Sequence, residues 1–213
     1  MARKRILFYG DSNTWGYNGK DGSRFEEDTR YTGLLAHHFA EQYVIVEEGL
    51  NSRTTVFQDD LRPHCNGLTY LPVALFTHAP LDLVVFMLGT NDCKRRFGAC
   101  AEEIAQGLEL LIQQVRSHSL LREREIPIAL IAPPPMEEEV LLADFMFDRR
   151  SLEVSRKLPK AIAELAQAYG LPMLDAGSVC RPGKADGVHL DAQGHFQLYQ
   201  ALAQKLPVWL GEK

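Results

Sequence analysis

The chain has 213 residues, of which 46% are hydrophobic and 24% are charged, and this balance predicts one globular domain spanning residues 1–213 with a substantial core. The formal net charge is −5 and the basic residues form only two short runs, which argues against nucleic acid or an anionic membrane as a partner. No stretch is long and apolar enough to span a bilayer, and four cysteines without a C-x-x-C pair or metal-ligand spacing favour reduced thiols in a cytoplasmic protein.

Apolar runs of strand length alternate along the chain with longer stretches of helical period, a pattern typical of parallel strands joined by crossover helices. Strands are predicted at residues 5–9, 43–47, 83–88, 128–131 and 173–174. Helices are predicted over residues 31–41, part of 71–77, 101–118, 151–169 and 192–206. Asp191 is the expected N-cap of the last helix, Gly170 ends the fourth, and Pro159 is expected to kink or split that fourth helix. The sequence therefore predicts an α/β fold with five parallel strands.

Three polar segments carry residues suited to nucleophilic chemistry. Gly10-Asp11-Ser12-Asn13 follows the first predicted strand, where a small residue lets the next side chains stand at the mouth of the sheet. Asp186-Gly187-Val188-His189 supplies a carboxylate and an imidazole, which a serine nucleophile needs to lose its proton. Gly89-Thr90-Asn91-Asp92 follows the third strand and offers an amide that can donate a hydrogen bond to an oxyanion.

Each segment also has a purely structural explanation: Ser12 as a turn or cap residue, Asp186 as a loop cap, and residues 89–92 as an Asx-turn. Their coincidence in chain order favours a hydrolytic serine site that needs no cofactor and no metal. Two rival hypotheses are a metal-dependent phosphoesterase, with Asp11, Asn91, Asp186 and His189 as ligands, and a non-catalytic carbohydrate-binding module. The metal-dependent phosphoesterase hypothesis gives Ser12 no role in the reaction. No Gly-x-Ser-x-Gly motif supports an ordinary α/β-hydrolase.

These blocks, in this order, resemble the SGNH or GDSL-type hydrolase family over nearly the whole chain. Flanking segments are similar to the bacterial arylesterase and acyltransferase branch, namely Asn13-Thr14-Trp15-Gly16, Glu48-Gly49-Leu50, Arg53-Thr54-Thr55 and Asp175-Ala176-Gly177-Ser178-Val179. The resemblance implies a three-layer α/β/α sandwich with flavodoxin-like strand order. It also implies Ser12 as nucleophile, His189 as general base, Asp186 as its orienting acid, and an oxyanion hole formed by the backbone N–H groups of Ser12 and Ser52 with the Asn91 amide.

Two positions depart from the family pattern. Ser52 stands where the family has a glycine whose backbone N–H serves the oxyanion hole, and Gly49 is the alternative donor. Asn13 stands where the commonest version has leucine, a change expected to alter the pocket and not the chemistry. Asp11 and Asp92 are expected to fix loops as hydrogen-bond acceptors, and His195 is given no role.

The substrate expected from the resemblance is a small, acetyl-type ester, cleaved by water or transferred to an alcohol, with a carbohydrate acetylesterase as the nearest alternative. Trp15 and Leu50 are the candidate substrate-binding residues. Residues 133–147 either cover an apolar pocket or form a subunit contact. The resemblance implies a homo-oligomer, and Phe145-Met146-Phe147 is a candidate contact.

Overall fold

The computed structural model describes residues 3–121 and 125–212, which form a five-stranded parallel sheet in the order β2-β1-β3-β4-β5. The expected flavodoxin-like order is confirmed, and every predicted strand is present with ends that differ by at most two residues. The strands are β1 (Lys4–Gly10), β2 (Tyr43–Gly49), β3 (Leu83–Met87), β4 (Ile128–Ala132) and β5 (Met173–Asp175).

Helices cover both faces of this sheet. The α-helices of the described residues are α1 (Ser12–Trp15), α2 (Tyr31–His38), α3 (Gly67–Thr77), α4 (Ala101–Leu121), α5 (Val140–Ala143), α6 (Arg149–Tyr169) and α7 (Ala192–Trp209). Because side chains alternate along a strand, Leu7 and Tyr9 of β1 join the core beneath α3, α4 and α6, whereas Ile6 and Phe8 join the core beneath α2 and α7. The two cores give the predicted three-layer α/β/α sandwich. None of the described helices combines the length and the apolar character needed to cross a membrane.

Two helix ends lie where the sequence signals predict them, but a proline inside one helix does not split that helix. Asp191 caps α7 by accepting the Gly194 N–H at 2.9 Å, and α6 ends at Gly170, whose φ of 64° is left-handed. Of the two expected effects of Pro159, a kink or a split, the split is wrong, because α6 continues through Pro159 to Tyr169. The neighbouring buried side chains Leu158 and Ile162 pack into the core, and this packing outweighs the one backbone hydrogen bond that proline removes.

The strand order determines where a site can form. Since β2 and β3 flank β1 on opposite sides, the connections leaving the carboxyl ends of β1 and β3 diverge and open a crevice between them. Ser12 follows β1 after one residue and Asn91 follows β3, so both lie at the edge of the sheet where ligands of such folds bind.

Candidate active site

The nucleophile candidate stands on a tight turn from strand to helix. Ser12 begins α1 one residue after Asp11, which caps the helix by accepting the Asn13 N–H at 3.0 Å. At Gly10 the turn leaves no room for a side chain, because a Cβ would lie 2.0 Å from Thr14 Oγ1. The Asp11 carboxyl is buried and accepts a hydrogen bond within the turn, as predicted for a loop-fixing residue. This burial raises the pKa of Asp11 to about 6.

The structure brings the serine, histidine and aspartate candidates into one hydrogen-bonded series. Ser12 Oγ lies 2.8 Å from His189 Nε2, and His189 Nδ1 lies 2.6 Å from Asp186 Oδ2. The other oxygen, Asp186 Oδ1, accepts the backbone N–H groups of Val188 and His189, each at 2.9 Å. These bonds hold the imidazole with Nδ1–H donating to the carboxylate and Nε2 accepting the serine proton.

The carboxylate of Asp186 is partly shielded from water, with 14% of its side chain exposed. Burial alone raises the pKa of Asp186, but the hydrogen bond and the charge of His189, together with the two backbone N–H donors, outweigh burial and lower the pKa below its usual value. Asp186 is therefore ionised at neutral pH and can balance a positive charge on His189.

An aromatic ring that sequence reasoning missed covers the imidazole. Tyr17 packs on His189 with 4.3 Å between ring centroids and an interplanar angle of 41°. It belongs to the segment of residues 17–24, which is closed by an isolated bridge between Tyr17 and Arg24. Gly19 of this segment approaches Asp186 so closely that a Cβ there would lie 2.2 Å from Oδ2. The segment therefore covers both the base and its carboxylate, a contact between irregular loops that no periodicity signals.

Each candidate oxyanion donor keeps an unused hydrogen. The backbone N–H groups of Ser12 and Ser52 donate no hydrogen bond to any described residue. Asn91 Nδ2 donates one hydrogen to the Arg53 carbonyl at 3.2 Å, which leaves its second hydrogen for a ligand. Ser52 has a φ of 69°, in the left-handed region that favours glycine, so the serine at this position adopts a glycine-like backbone.

Gly49, the alternative donor, has a packing reason to be glycine. It ends β2 beside Gly10 of β1, and a Cβ there would lie 2.1 Å from the Trp15 backbone nitrogen. The close approach of α1 to the end of β2 accounts for Gly49, whereas the conformation of Ser52 favours Ser52 as the donor.

Arg53 contacts several segments of the site, although the sequence indicated it only as part of a flanking segment. Its buried guanidinium stacks on Tyr9 at 3.9 Å and donates to the carbonyls of Gly10, at 2.9 Å, and of Glu48. Its own carbonyl holds Asn91. One residue thus links the end of β1, the end of β2 and the amide that follows β3.

Two further buried polar residues fix the surrounding loops. Asp92 Oδ1 accepts both the backbone N–H and the hydroxyl of Thr55, as expected of a loop-fixing acceptor, and burial raises the pKa of Asp92 to about 6. His195 is fully buried, stacks on Tyr31 and accepts its N–H at 3.4 Å, and burial lowers the pKa of His195 to about 4. Asp92 thus holds the segment around Thr55, and His195 packs against the start of α2.

The candidate substrate-binding residues are half-buried beside the nucleophile. Trp15 ends α1, and Leu50 follows β2 with its N–H donated to the Gly10 carbonyl at 3.1 Å. The run Phe145-Met146-Phe147, proposed as a subunit contact, is exposed at one end only. Phe145 is 77% exposed, but Phe147 is only 6% exposed. Phe147 belongs to the core and not to an interface, which corrects that part of the sequence interpretation.

Asp186, one ligand of the rival metal site, is engaged in other bonds. Both oxygens of Asp186 accept hydrogen bonds, one from the His189 ring and one from backbone N–H groups. Within residues 3–121 and 125–212 no group of three or more His, Cys, Asp or Glu side chains is placed to hold a metal ion.

The fold and the hydrogen-bonded series of Ser12, His189 and Asp186 define a serine hydrolase of the three-layer α/β class. A family model for GDSL-like lipases and acylhydrolases matches residues 8–196. The chain therefore belongs to the GDSL-like lipase/acylhydrolase family, and the resemblance inferred from its sequence blocks is confirmed.

Solved structures agree with this assignment. An aryl esterase of M. smegmatis is 36% identical with a TM-score of 0.90, and the match covers 97% of this chain and 99% of that one. A carbohydrate acetylesterase family member from Sinorhizobium meliloti is 36% identical with a TM-score of 0.92, covering 98% and 99%. A second S. meliloti structure, the carbohydrate acetylesterase Est24, is 35% identical with a TM-score of 0.90, covering 97% and 99%. The comparison with curated proteins gave no significant match. The protein is a serine-type carboxylic-ester hydrolase.

Proposed function

We propose that this esterase cleaves small, acetyl-type esters through an acyl-enzyme on Ser12, and that the whole chain acts as one catalytic domain. The observation that carries the proposal is the series Ser12 Oγ, His189 and Asp186, joined at 2.8 Å and 2.6 Å. A serine hydroxyl is a weak nucleophile at neutral pH, and this arrangement supplies both the base that activates it and the carboxylate that holds the base.

In the acylation step, Ser12 Oγ attacks the ester carbonyl while His189 Nε2 takes its proton. Asp186 fixes the tautomer and stabilises the resulting imidazolium. The negative charge on the former carbonyl oxygen is held by the backbone N–H groups of Ser12 and Ser52 and by the free amide hydrogen of Asn91. His189 then gives its proton to the leaving alcohol as the C–O bond breaks.

In the deacylation step, His189 takes a proton from water, and the hydroxide attacks the Ser12 ester. The proton returns to Ser12 Oγ as the carboxylic acid leaves. An alcohol held in place of water would follow the same path and give a new ester, so acyl transfer needs no further catalytic group.

Trp15 and Leu50 are proposed to contact the acyl or alcohol group, because both are half-buried apolar side chains beside the turn that carries Ser12. The named neighbours include an aryl esterase and carbohydrate acetylesterases, so aryl acetates and acetylated sugars are the two substrate classes to compare. Both are esters of a small acyl group, and they differ in the alcohol.

The catalytic roles are tested with p-nitrophenyl acetate and single variants. Ser12→Ala and His189→Ala are each expected to abolish turnover while thermal unfolding stays close to that of the wild type. Ser117→Ala and His37→Ala are matched controls on the exposed surface. Wild-type rates in either site variant, or a wild-type protein that a serine-directed organophosphate does not label, would contradict the proposal, and the second result would favour a binding module.

The substrate class is tested with a series of p-nitrophenyl esters of increasing acyl length, followed by aryl and sugar acetates. A decline of kcat/KM beyond short acyl groups is expected, and Trp15→Ala and Leu50→Ala are expected to shift that decline. Activity lost with EDTA and restored by a divalent metal would instead favour the phosphoesterase hypothesis.

Assembly and location are proposed on separate grounds. We propose a homo-oligomer because Leu142 of α5 is 96% exposed and Phe145, just after α5, is 77% exposed, and exposed apolar side chains in one place favour a protein contact. Light scattering of the wild type and of Phe145→Ser tests it, and a monomeric wild type would contradict it.

We propose a cytoplasmic location because all four cysteines are free, which cell fractionation tests.

A further inference from the structure

Asn13, the residue after the nucleophile, uses its side-chain amide on the segment that carries the base. Asn13 Nδ2 donates to the Val188 carbonyl at 3.3 Å, and Asn13 Oδ1 accepts the Leu190 N–H at 2.8 Å. The side chain is 1% exposed. Val188 and Leu190 are the two neighbours of His189, so one amide binds the backbone on both sides of the imidazole.

This pattern resembles the pairing of two strands. A residue in a sheet donates through its N–H and accepts through its C=O to the residues that flank its neighbour, and the primary amide of asparagine offers the same donor and acceptor on a side chain. The two partners lie 175 and 177 residues further along the chain. The amide therefore joins the helix that carries Ser12 to the loop that carries His189.

The other bonds of the loop do not make this connection. The His189 carbonyl accepts the Gly183 N–H at 2.7 Å, and the N–H groups of Val188 and His189 are held by Asp186. Those bonds give the loop its shape and lie within residues 183–189. The Glu137 N–H donates to the Gly187 carbonyl at 2.8 Å from outside the loop, but Glu137 does not belong to the helix that carries Ser12. The position of the loop relative to Ser12 depends on contacts from outside the loop, and the Asn13 amide supplies two of them.

We propose that Asn13 is a positioning residue that holds His189 Nε2 within hydrogen-bonding reach of Ser12 Oγ. The inference rests on the proposed roles of Ser12 and His189. Proton transfer between them needs a separation of about 2.6–3.2 Å, and the present 2.8 Å leaves a margin of roughly 0.4 Å before the contact is lost. The sequence analysis expected Asn13 to alter the pocket and not the chemistry; its buried amide contacts the segment that carries the base.

A leucine at this position has a similar size and neither hydrogen-bonding group. In Asn13→Leu the carbonyl of Val188 and the N–H of Leu190 lose their partner, and the loop is free to move by tenths of an ångström. A misplacement of about 1 Å typically costs about a hundredfold in rate, so the expected loss of kcat is about tenfold to a hundredfold with KM nearly unchanged.

The experiment measures kcat and KM for p-nitrophenyl acetate and for ethyl acetate, normalised to the sites that an organophosphate titrates. The leaving ethanol needs the proton of His189, whereas p-nitrophenolate leaves without it. Misplacing His189 is therefore expected to lower the rate with ethyl acetate further than the rate with p-nitrophenyl acetate. A loss of folded protein would lower both rates equally and would vanish on normalisation.

Ser119→Ala is the matched control. Ser119 Oγ also makes two buried hydrogen bonds, donating to the Val115 carbonyl at 3.0 Å and accepting the Ile126 N–H at 3.2 Å, but it lies near the amino end of β4, at the opposite edge of the sheet. It is expected to lower stability as much as Asn13→Leu does while the ratio of the two rates stays at the wild-type value. Asn13→Ala serves as a second variant if leucine prevents folding.

A crystal structure of the folded Asn13 variant decides the inference independently of any ester. The distance from Ser12 Oγ to His189 Nε2 is expected to exceed 3.2 Å. An unchanged distance, or an unchanged ratio of the two rates after normalisation, overturns the inference. If the wild type hydrolyses no ester, the proposed function fails, and the distance in the variant still tests whether Asn13 holds the base in place.

Discussion

The close approach of Gly19 to Asp186 gives a quantitative test of how the site is held. A Cβ at Gly19 would lie 2.2 Å from Asp186 Oδ2 and 2.6 Å from its Cγ, whereas ordinary van der Waals contact begins at 3.4 Å. Gly19→Ala therefore forces the two groups apart by roughly 1.2 Å, the difference between these distances. Either Asp186 moves, or the segment of residues 17–24 moves outward.

Both adjustments damage the base. Asp186 Oδ2 receives the His189 Nδ1–H at 2.6 Å, so movement of the carboxylate by about 1 Å breaks the bond that fixes the tautomer. Movement of the segment instead carries Tyr17 away from the imidazole and opens the pair to water. We expect kcat to fall about a hundredfold, and by up to about ten thousandfold if the imidazole adopts the wrong tautomer, with KM little changed.

The assay is steady-state hydrolysis of p-nitrophenyl acetate, with thermal unfolding recorded on the same preparations. Lys20→Ala is the control, because Lys20 is exposed in the same segment and its alanine variant adds no atom near Asp186. A folded Gly19→Ala protein that keeps the wild-type kcat would refute the reasoning. It would mean that contact between this segment and Asp186 has no part in catalysis.

Three other outcomes are expected. Asn91→Ala removes one oxyanion donor and is expected to lower kcat about a hundred- to a thousandfold in the same assay, so a loss below tenfold would argue against this donor. Ser52→Gly keeps the backbone N–H and relieves the left-handed φ of 69°, so kcat is expected to stay near wild type, whereas Ser52→Val is expected to lower both stability and kcat. Asp92→Asn is expected to raise the free energy of unfolding at pH 8 by about 3 kcal/mol, with little effect at pH 3.5, measured by urea titration at both pH values. Because burial raises the pKa of Asp92 from 3.8 to about 6, the folded state keeps a proton that the unfolded chain has lost between these values, and stability falls as pH rises through 6. Equal effects of Asp92→Asn at the two pH values would contradict this assignment.

The framework of the fold was predictable because it depends on local patterns. Short apolar runs such as residues 5–9 and 128–131 have the length and the composition of buried parallel strands, and helical periods fill the intervals between them. Capping signals at Asp191 and Gly170 also depend only on neighbouring residues. The expected split of α6 at Pro159 is absent because tertiary packing of α6 outweighs the local effect of proline.

The contact of Ser12 with His189 was predictable for a different reason. The three polar blocks matched a family, and the match implied that residues 12, 91, 186 and 189 converge. Composition and periodicity alone would not have brought residue 12 to residue 189, because a contact across 177 positions leaves no local signal.

The supporting contacts could not be read from the chain. Tyr17 reaches His189 from an irregular segment, and the amide of Asn13 finds Val188 and Leu190 across the fold. Such contacts depend on how loops pack, and their residue types have many other uses.

The reacting groups come from separate loops, and each loop is held by a residue that takes no part in the reaction. Arg53 binds the Gly10 carbonyl before the nucleophile turn, and its own carbonyl positions Asn91. Asn13 binds the segment around His189. Because the Ser12–His189 contact tolerates a shift of only tenths of an ångström, a change in these holding residues should act on kcat through distance, while KM and the overall fold change far less. A site built in this way is sensitive to substitutions at residues that never touch the ester, and the holding residues are where its rate can be altered without altering its reactive groups.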